Sequence, residues 1–346
     1  MRMRRTWGLV VAVAVALLGV FALVGCGKAP TGGNASGKKT VLCTTFPQYD
    51  WARQIIGDAN SNIELELLVK RGVDIHSYQP TVADIATVGA SDLFVYVGGE
   101  SDAWVADALK NATNPNIKTI DLLEELGTNA REEEFVEGMQ TRLRDEHAHD
   151  EHAHDEHAHD EHDHDEAPEY DEHVWLSLKN ADHYVGVLAD ALAELDPEHA
   201  ETFRANAEAY REKLSALDAR YQAAVDAAPK KTLLFADRFP FLYLANDYKI
   251  TYYAAFQGCS AETEASFETV VFLANKLDEL ALGTVLVIDG SNQQLAKTVI
   301  EATIDNNQQI RTIDSLQSVS EEDIAKGRTY LGAMESNLEV LKQAMA

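Results

Sequence analysis

The sequence predicts an α/β protein of two lobes, each with a mainly parallel sheet flanked by helices, joined by one long rigid helix. Three observations carry this expectation. Short apolar runs of strand type alternate with helical patterns, once before residue 121 and again after residue 230. Between the two series, residues 198–228 contain neither Gly nor Pro and keep one unbroken helical stripe. At 346 residues the chain is also long enough for two domains of ordinary size.

In order, residues 39–45 (KTVLCTT) form the first expected strand, closed by Phe46-Pro47. A short helix fits 50–57 and a second strand 63–69. Pro80 and Thr81 open a helical pattern through Val88, and strand 92–97 (DLFVYV) stops at Gly98-Gly99. Helix fits 104–110, strand 117–120 and helix 178–194. Pro197 opens the long helix, whose Phe203, Ala207, Tyr210, Leu214, Leu217, Tyr221 and Ala224 are spaced alternately by four and three. At 1.5 Å per residue it runs about 45 Å, more than one small domain needs, so it reads as a strut across both lobes. A coiled-coil dimer is the competing reading of the same stripe. The second series places strands at 231–235, 250–254, 284–288 and 310–313, with helices at 268–280, 294–303 and 330–344. The ranges that result are an N-terminal lobe over 39–196, the connecting helix over 197–228 and a C-terminal lobe over 229–346.

Arg2, Arg4 and Arg5 precede an apolar stretch over 7–24 that ends in Gly25-Cys26, the layout of a secretory signal. The ending Leu23-Val24-Gly25-Cys26 resembles a bacterial lipobox, in which the Cys is acylated and becomes the first mature residue. Residues 1–25 are then a lipoprotein signal peptide and 26–38 a flexible tether. The body would be extracytoplasmic, lipid-anchored to the outer face of the bacterial cytoplasmic membrane. A short membrane-spanning anchor is the alternative that length alone permits, but a Gly-Cys pair has no purpose in one. The formal net charge of −28 repels phosphates and argues against a nucleic-acid partner. Cys43 and Cys259 stand in no CxxC or metal-ligand spacing, and form either a disulfide or two separate buried thiols.

Much of the acid excess is local, because residues 145–166 hold eleven Asp or Glu and no Lys or Arg. The pentapeptide EHAHD occurs three times from residue 146, followed by EHDHD. It carries His147, His149, His152, His154, His157, His159, His162 and His164. A tract with no aliphatic side chain larger than Ala cannot offset its ordering entropy by burial, so residues 145–167 are expected to be a disordered loop in the first lobe. Its imidazoles can bind metal weakly, and lose it below about pH 6.5 as they protonate. Outside it lie only His76, His173, His183 and His199. The last two fall in polar helical patterns and read as solvent-facing. His76 lies in a turn after a strand and before a helix, where open α/β sheets place ligands, and His173 enters an α/β element directly after the acidic loop. Taken singly, each also reads as a satisfied histidine at the core edge.

The stretches GVDIHSYQPTVADI, DEHVWLSLKNADHYVGVLADALAELDPE, NAEAYREKLSALD and YLGAMESNLEVLKQAM resemble, in that order, the zinc and manganese solute-binding lipoproteins of ABC importers (ZnuA/TroA-like, cluster A-I). The resemblance covers the chain from Lys39 onward. It implies a metal site in the interlobe cleft with four ligands: His76, His173, a third after the first strand of the second lobe, and an Asp after the last strand, here Asp314. At the third place Arg238 stands where the family carries His or Glu. Arginine has no lone pair to give, so the role passes to Asp237, with Asp289 in reserve. Two imidazoles and two carboxylates suit Zn2+ or Mn2+, and the histidine tract tips the expectation to Zn2+. The cargo would pass to an ABC permease and its ATPase, from a monomeric receptor that is not an enzyme, since four protein ligands leave no open catalytic position. A metal-binding surface adhesin or buffer is the competing class. A secreted metallohydrolase finds no HExxH or comparable motif here.

Overall fold

Two four-stranded parallel sheets are built in the same order, and their matching loops converge on one site. The computed structural model describes residues 37–59, 61–70, 72–140, 169–260 and 264–346. The first sheet takes β1 (Lys39–Cys43), β2 (Ile63–Leu67), β3 (Leu93–Tyr96) and β4 (Lys118–Asp121) in the order β2-β1-β3-β4. The second takes β5 (Thr232–Phe239), β6 (Thr251–Gln257), β7 (Thr284–Ile288) and β8 (Gln309–Ile313) in the order β6-β5-β7-β8. All pairings are parallel. Strands buried on both faces need unbroken apolar runs, which Val41-Leu42-Cys43, Leu93-Phe94-Val95 and Thr284–Ile288 supply. In each sheet the order reverses beside its first strand, and ligands of open α/β sheets gather at the strand carboxyl ends there.

Helices α1 (Phe46–Ile56), α2 (Val82–Ala90), α3 (Val105–Lys110), α4 (Leu122–Leu126) and α5 (Leu178–Leu195) cover the first sheet. Thr81 and Asp84 start α2 with reciprocal bonds: Thr81 N donates to Asp84 Oδ2 at 2.8 Å and Asp84 N to Thr81 Oγ1 at 3.2 Å. After a short 3-10 turn at Pro197–His199, α6 runs without interruption over Ala200–Ala227. Its 28 residues span about 42 Å. The predicted stripe is the buried one, except that Val225 rather than Ala224 fills its last place. It packs on α1 and α5 at one end and, in the second lobe, on α7 (Leu242–Tyr248) and the closing helix at the other. Each large stripe residue contributes about 1.5–3 kcal/mol by burial, so α6 belongs to the cores of both lobes. That placement supplies the partner a coiled-coil reading would have needed from a second chain. The remaining helices are α8 (Phe267–Glu279), α9 (Gln294–Glu301), α10 (Glu321–Ala325) and α11 (Tyr330–Ala344).

Three short helices, α4, α7 and α10, were absent from the sequence reading. They have five to seven residues each, too few turns to show a helical period. The lobes are fastened by a chain of buried bonds. Trp175 Nε1 donates to Ser315 O at 2.9 Å, Tyr330 Oη to Trp175 O at 2.7 Å, and Tyr330 N to Asp50 Oδ2 at 2.7 Å. Trp51 meets the Tyr330 ring edge-on at 5.2 Å. The stretch over 131–140 leaves the first lobe to lie along the second, where Gln140 N donates to Ala255 O and Cys259 N to Glu133 Oε1.

Candidate metal centre

His76 sits in a 3-10 turn, Ile75–Ser77, capped by Asp74, whose Oδ1 accepts from His76 N at 3.0 Å. His173 precedes a second 3-10 turn, Val174–Leu176, and its backbone N donates to Asp171 Oδ1 at 2.8 Å. The two side chains point at each other, with Nε2 to Nε2 at 3.0 Å. Their far nitrogens are both held. His173 Nδ1 lies 3.1 Å from Asp171 Oδ1, while His76 Nδ1 lies 2.9 Å from Ser101 Oγ and 3.4 Å from Glu172 Oε2. The Ser101 hydroxyl at His76 Nδ1 and the Asp171 carboxyl at His173 Nδ1 engage the outer nitrogens and aim both Nε2 atoms inward, the arrangement in which outer partners orient metal-binding imidazoles.

Glycine makes this closeness workable at two places. Gly99 has φ +78°, and a Cβ on it would run into the Glu172 carboxylate, which is anchored by Ser101 N at 2.8 Å. A Cβ on Gly258 would lie 2.9 Å from Phe239 O and 3.1 Å from the His173 ring.

Burial, then the neighbouring His173 charge, lowers His76 to about 3, and burial lowers His173 to about 4. Both rings are therefore neutral, with lone pairs available, across the physiological range. Burial works in the other direction on the acids, raising Asp171 to about 8 and Glu172 to about 7. Burial also holds Cys259 well above an ordinary thiol, helped by Asp171, Glu133 and Glu172. Burial pulls Asp74 upward too, but the Arg238 guanidinium wins and its carboxyl stays below the usual range.

The second lobe differs from the expected ligand set. Strand β5 does not stop at Phe235 but continues to Phe239 through a bulge, where the register passes from Phe235↔Ala254 to Arg238↔Phe256. The bulge turns Asp237 onto backbone: Oδ1 accepts from Arg238 N at 2.9 Å and Oδ2 from Ile288 N at 3.3 Å. Arg238 crosses to the first lobe and pairs with Asp74, two residues before His76. Asp289 Oδ1 accepts from Ser315 N and Oγ, both at 2.6 Å. Asp314 is paired with Arg328, and its Oδ1 accepts from Leu316 N at 2.9 Å. Asp237 and Asp289 share with His76 the wall of a cavity of about 400 Å³. Neither they nor Asp314 join the imidazoles in a compact donor group among the described residues.

The groups that do form are His76–His173–Cys259 and Glu133–Asp171–His173, with donor atoms all within 4.8 Å of one another. The sequence reading missed Glu133 and gave Cys259 no role beyond a thiol or a disulfide. Cys259 lies two residues after the end of β6, the strand equivalent to the one before the His76 turn, and that topological match was the cue. The structure also decides the disulfide question, since Cys43 and Cys259 are separate free thiols. Cys43 lies in β1 in the core of the first lobe, paired with Leu67 and Val95, far in role from the loop at the site. His183 is exposed, and His199 Nδ1 is 2.9 Å from Asp196 Oδ2. The eight tract histidines and Cys26 lie outside the described residues.

The chain is 31% identical over 314 residues to the zinc-binding lipoprotein AdcA of Streptococcus pneumoniae serotype 4, covering 89% of this chain but only 56% of that protein. The chain thus spans about half the length of that relative. It is 27% identical over 353 residues to the high-affinity zinc uptake system protein ZnuA of Bacillus subtilis, covering 99% of each. The crystal structure of the Zn(II)-bound ZnuA-like domain of Streptococcus pneumoniae AdcA superposes with a TM-score of 0.65 at 27% identity, covering 89% of this chain and 99% of that one. The family model described as zinc-uptake complex component A, periplasmic, matches residues 41–344, and the chain belongs to that family.

Proposed function

We propose that this chain is the extracytoplasmic receptor of a zinc-importing ABC transporter, taking up Zn2+ between His76 and His173 and handing it to a permease and its ATPase. One observation carries the reading: two neutral imidazoles face each other through Nε2 at 3.0 Å, each with its Nδ1 already engaged. Two nitrogens bound to one tetrahedral zinc stand about 3.3 Å apart, so the pair needs only a few tenths of an ångström to accept the ion. Relatives named for zinc binding and zinc uptake support the cargo. Lipid attachment at Cys26 and a monomeric state complete the proposal, and no catalytic step is assigned.

The histidine tract is read as a collector that feeds the tighter site. Competition against a chromophoric zinc chelator tests this. The chain from residue 28 should show one tight equivalent and several weak ones, and a version lacking residues 146–166 should keep the first and lose the rest. A deletion that removes the tight equivalent refutes the division of labour. Because α6 packs on both lobes and the Trp175–Tyr330 bonds fasten them, release is expected to need only small lobe shifts. Small-angle scattering should therefore give nearly the same profile with and without zinc. A large domain rotation on binding would contradict it.

A further inference from the structure

We propose that Cys259 is the second lobe's ligand to the captured ion, completing with His76 and His173 a set of two nitrogens and one sulfur. The proposal rests on the zinc reading above and names the donor that the second lobe contributes. Three donor atoms from three separate segments lie within 4.8 Å of one another. A tetrahedral zinc with bonds of about 2.3 Å to sulfur and about 2.0–2.1 Å to nitrogen sets S and N about 3.5 Å apart. Closing on the ion therefore asks for a movement of about 1.3 Å at most.

The loop is constructed for that approach. Gly258 has no room for a side chain because the His173 ring and Phe239 O occupy the place, and Glu133 Oε1 fixes the Cys259 backbone at 3.0 Å. The cavity of about 490 Å³ that His76 and Cys259 line also receives Glu172, which is 2% exposed and whose Oε2 has only His76 Nδ1 beside it, at 3.4 Å. A buried carboxyl oxygen with one long contact and no short hydrogen bond, set beside three donor groups, favours a cation in their midst. The competing donors of the second lobe are committed elsewhere, Asp237 to Ile288 N, Asp289 to Ser315 and Asp314 to Arg328. Among the described residues, Cys259 is the one donor of that lobe grouped with both imidazoles. On binding, the metal–sulfur bond forms as the S–H bond breaks, and the proton passes to solvent. A soft sulfur donor suits zinc and disfavours manganese, so Cys259 sets the preference between them.

Cobalt(II) is the probe, added at one equivalent to the detergent-solubilised full chain after metal removal. The wild type should show a sulfur-to-cobalt charge-transfer band in the near ultraviolet. Cys259→Ser should lose that band, still bind cobalt through the imidazoles, and lower the ratio of zinc to manganese affinity by at least tenfold. Cys26 and Cys43 are common to both forms. As a check that needs no variant, one equivalent of zinc should slow alkylation of Cys259 by iodoacetamide at least tenfold in the wild type. Cobalt bound without the band, a band that survives Cys259→Ser, or an unchanged alkylation rate overturns the thiolate assignment and leaves the receptor reading standing. A wild type that binds neither cobalt nor zinc stoichiometrically overturns both.

Discussion

His173→Ala is expected to remove the tight zinc equivalent, and His76→Ala to do the same. Loss of an outer partner of a metal ligand already weakens binding by about 10–100-fold, so loss of a ligand itself should exceed 100-fold. No nearby residue substitutes, because the remaining nitrogen and the carboxylates around it are oriented by the ring that has gone. Asp171 Oδ1 is left with only the backbone N of residue 173, and Ser101 Oγ loses its imidazole when His76 is replaced. Two measurements separate ligation from general damage. Isothermal titration of each variant reads the affinity directly. Thermal melts with and without zinc read the linkage: a ligand at a thousandfold its Kd stabilises by about 4.1 kcal/mol, and a variant bound more than 100-fold more weakly keeps less than about 1.4 kcal/mol of that. A variant that still takes up one equivalent at wild-type affinity would show that these imidazoles do not hold the ion.

Trp175→Ala should bring the largest loss of stability, about 3–5 kcal/mol. The indole is fully buried, meets the His173 ring at 5.4 Å, and its Nε1 holds Ser315 O in the other lobe. Truncation opens a cavity that α5 and α7, which pack on this turn and are each held by other elements, cannot collapse to fill. For a chain this size the melting temperature should fall by about 4–7 °C. Tyr330→Phe removes only the bond to Trp175 O and should cost about 1 kcal/mol. Calorimetry on both variants checks the ranking. Equal losses would mean that the hydrogen bond, rather than the packed indole, fastens the lobes.

Much of the architecture was visible in one dimension because it depends on neighbours in sequence. After Asp92 the run 93–97 is apolar or aromatic throughout, as a strand covered on both faces must be, and β3 falls inside it. The α6 stripe follows from a period of 3.6 sustained over seven turns. His76 and His173 stood out because each leaves a regular element at a loop. The second lobe's proposed donor was not visible in this way. Whether Asp237 faces the imidazoles depends on one extra residue in β5, and a bulge shifts every later side chain of the strand by one place. Arg238 could be excluded as a ligand from its chemistry alone, but its pairing with Asp74 required knowing that the strands before them end at the same place in space.

The sequence by itself determined the two α/β series, the strut between them and the two imidazoles, since periodicity and local turn chemistry write these out along the chain. Tertiary structure decided which groups share the site: Cys259 beside the imidazoles, Asp314 on Arg328, and Cys43 in a core apart. The physical reason is that a metal centre gathers atoms from loops separated by whole strands and helices. Their meeting is set by how two sheets of equal strand order pack around one helix, a matter of three-dimensional register that no local pattern encodes.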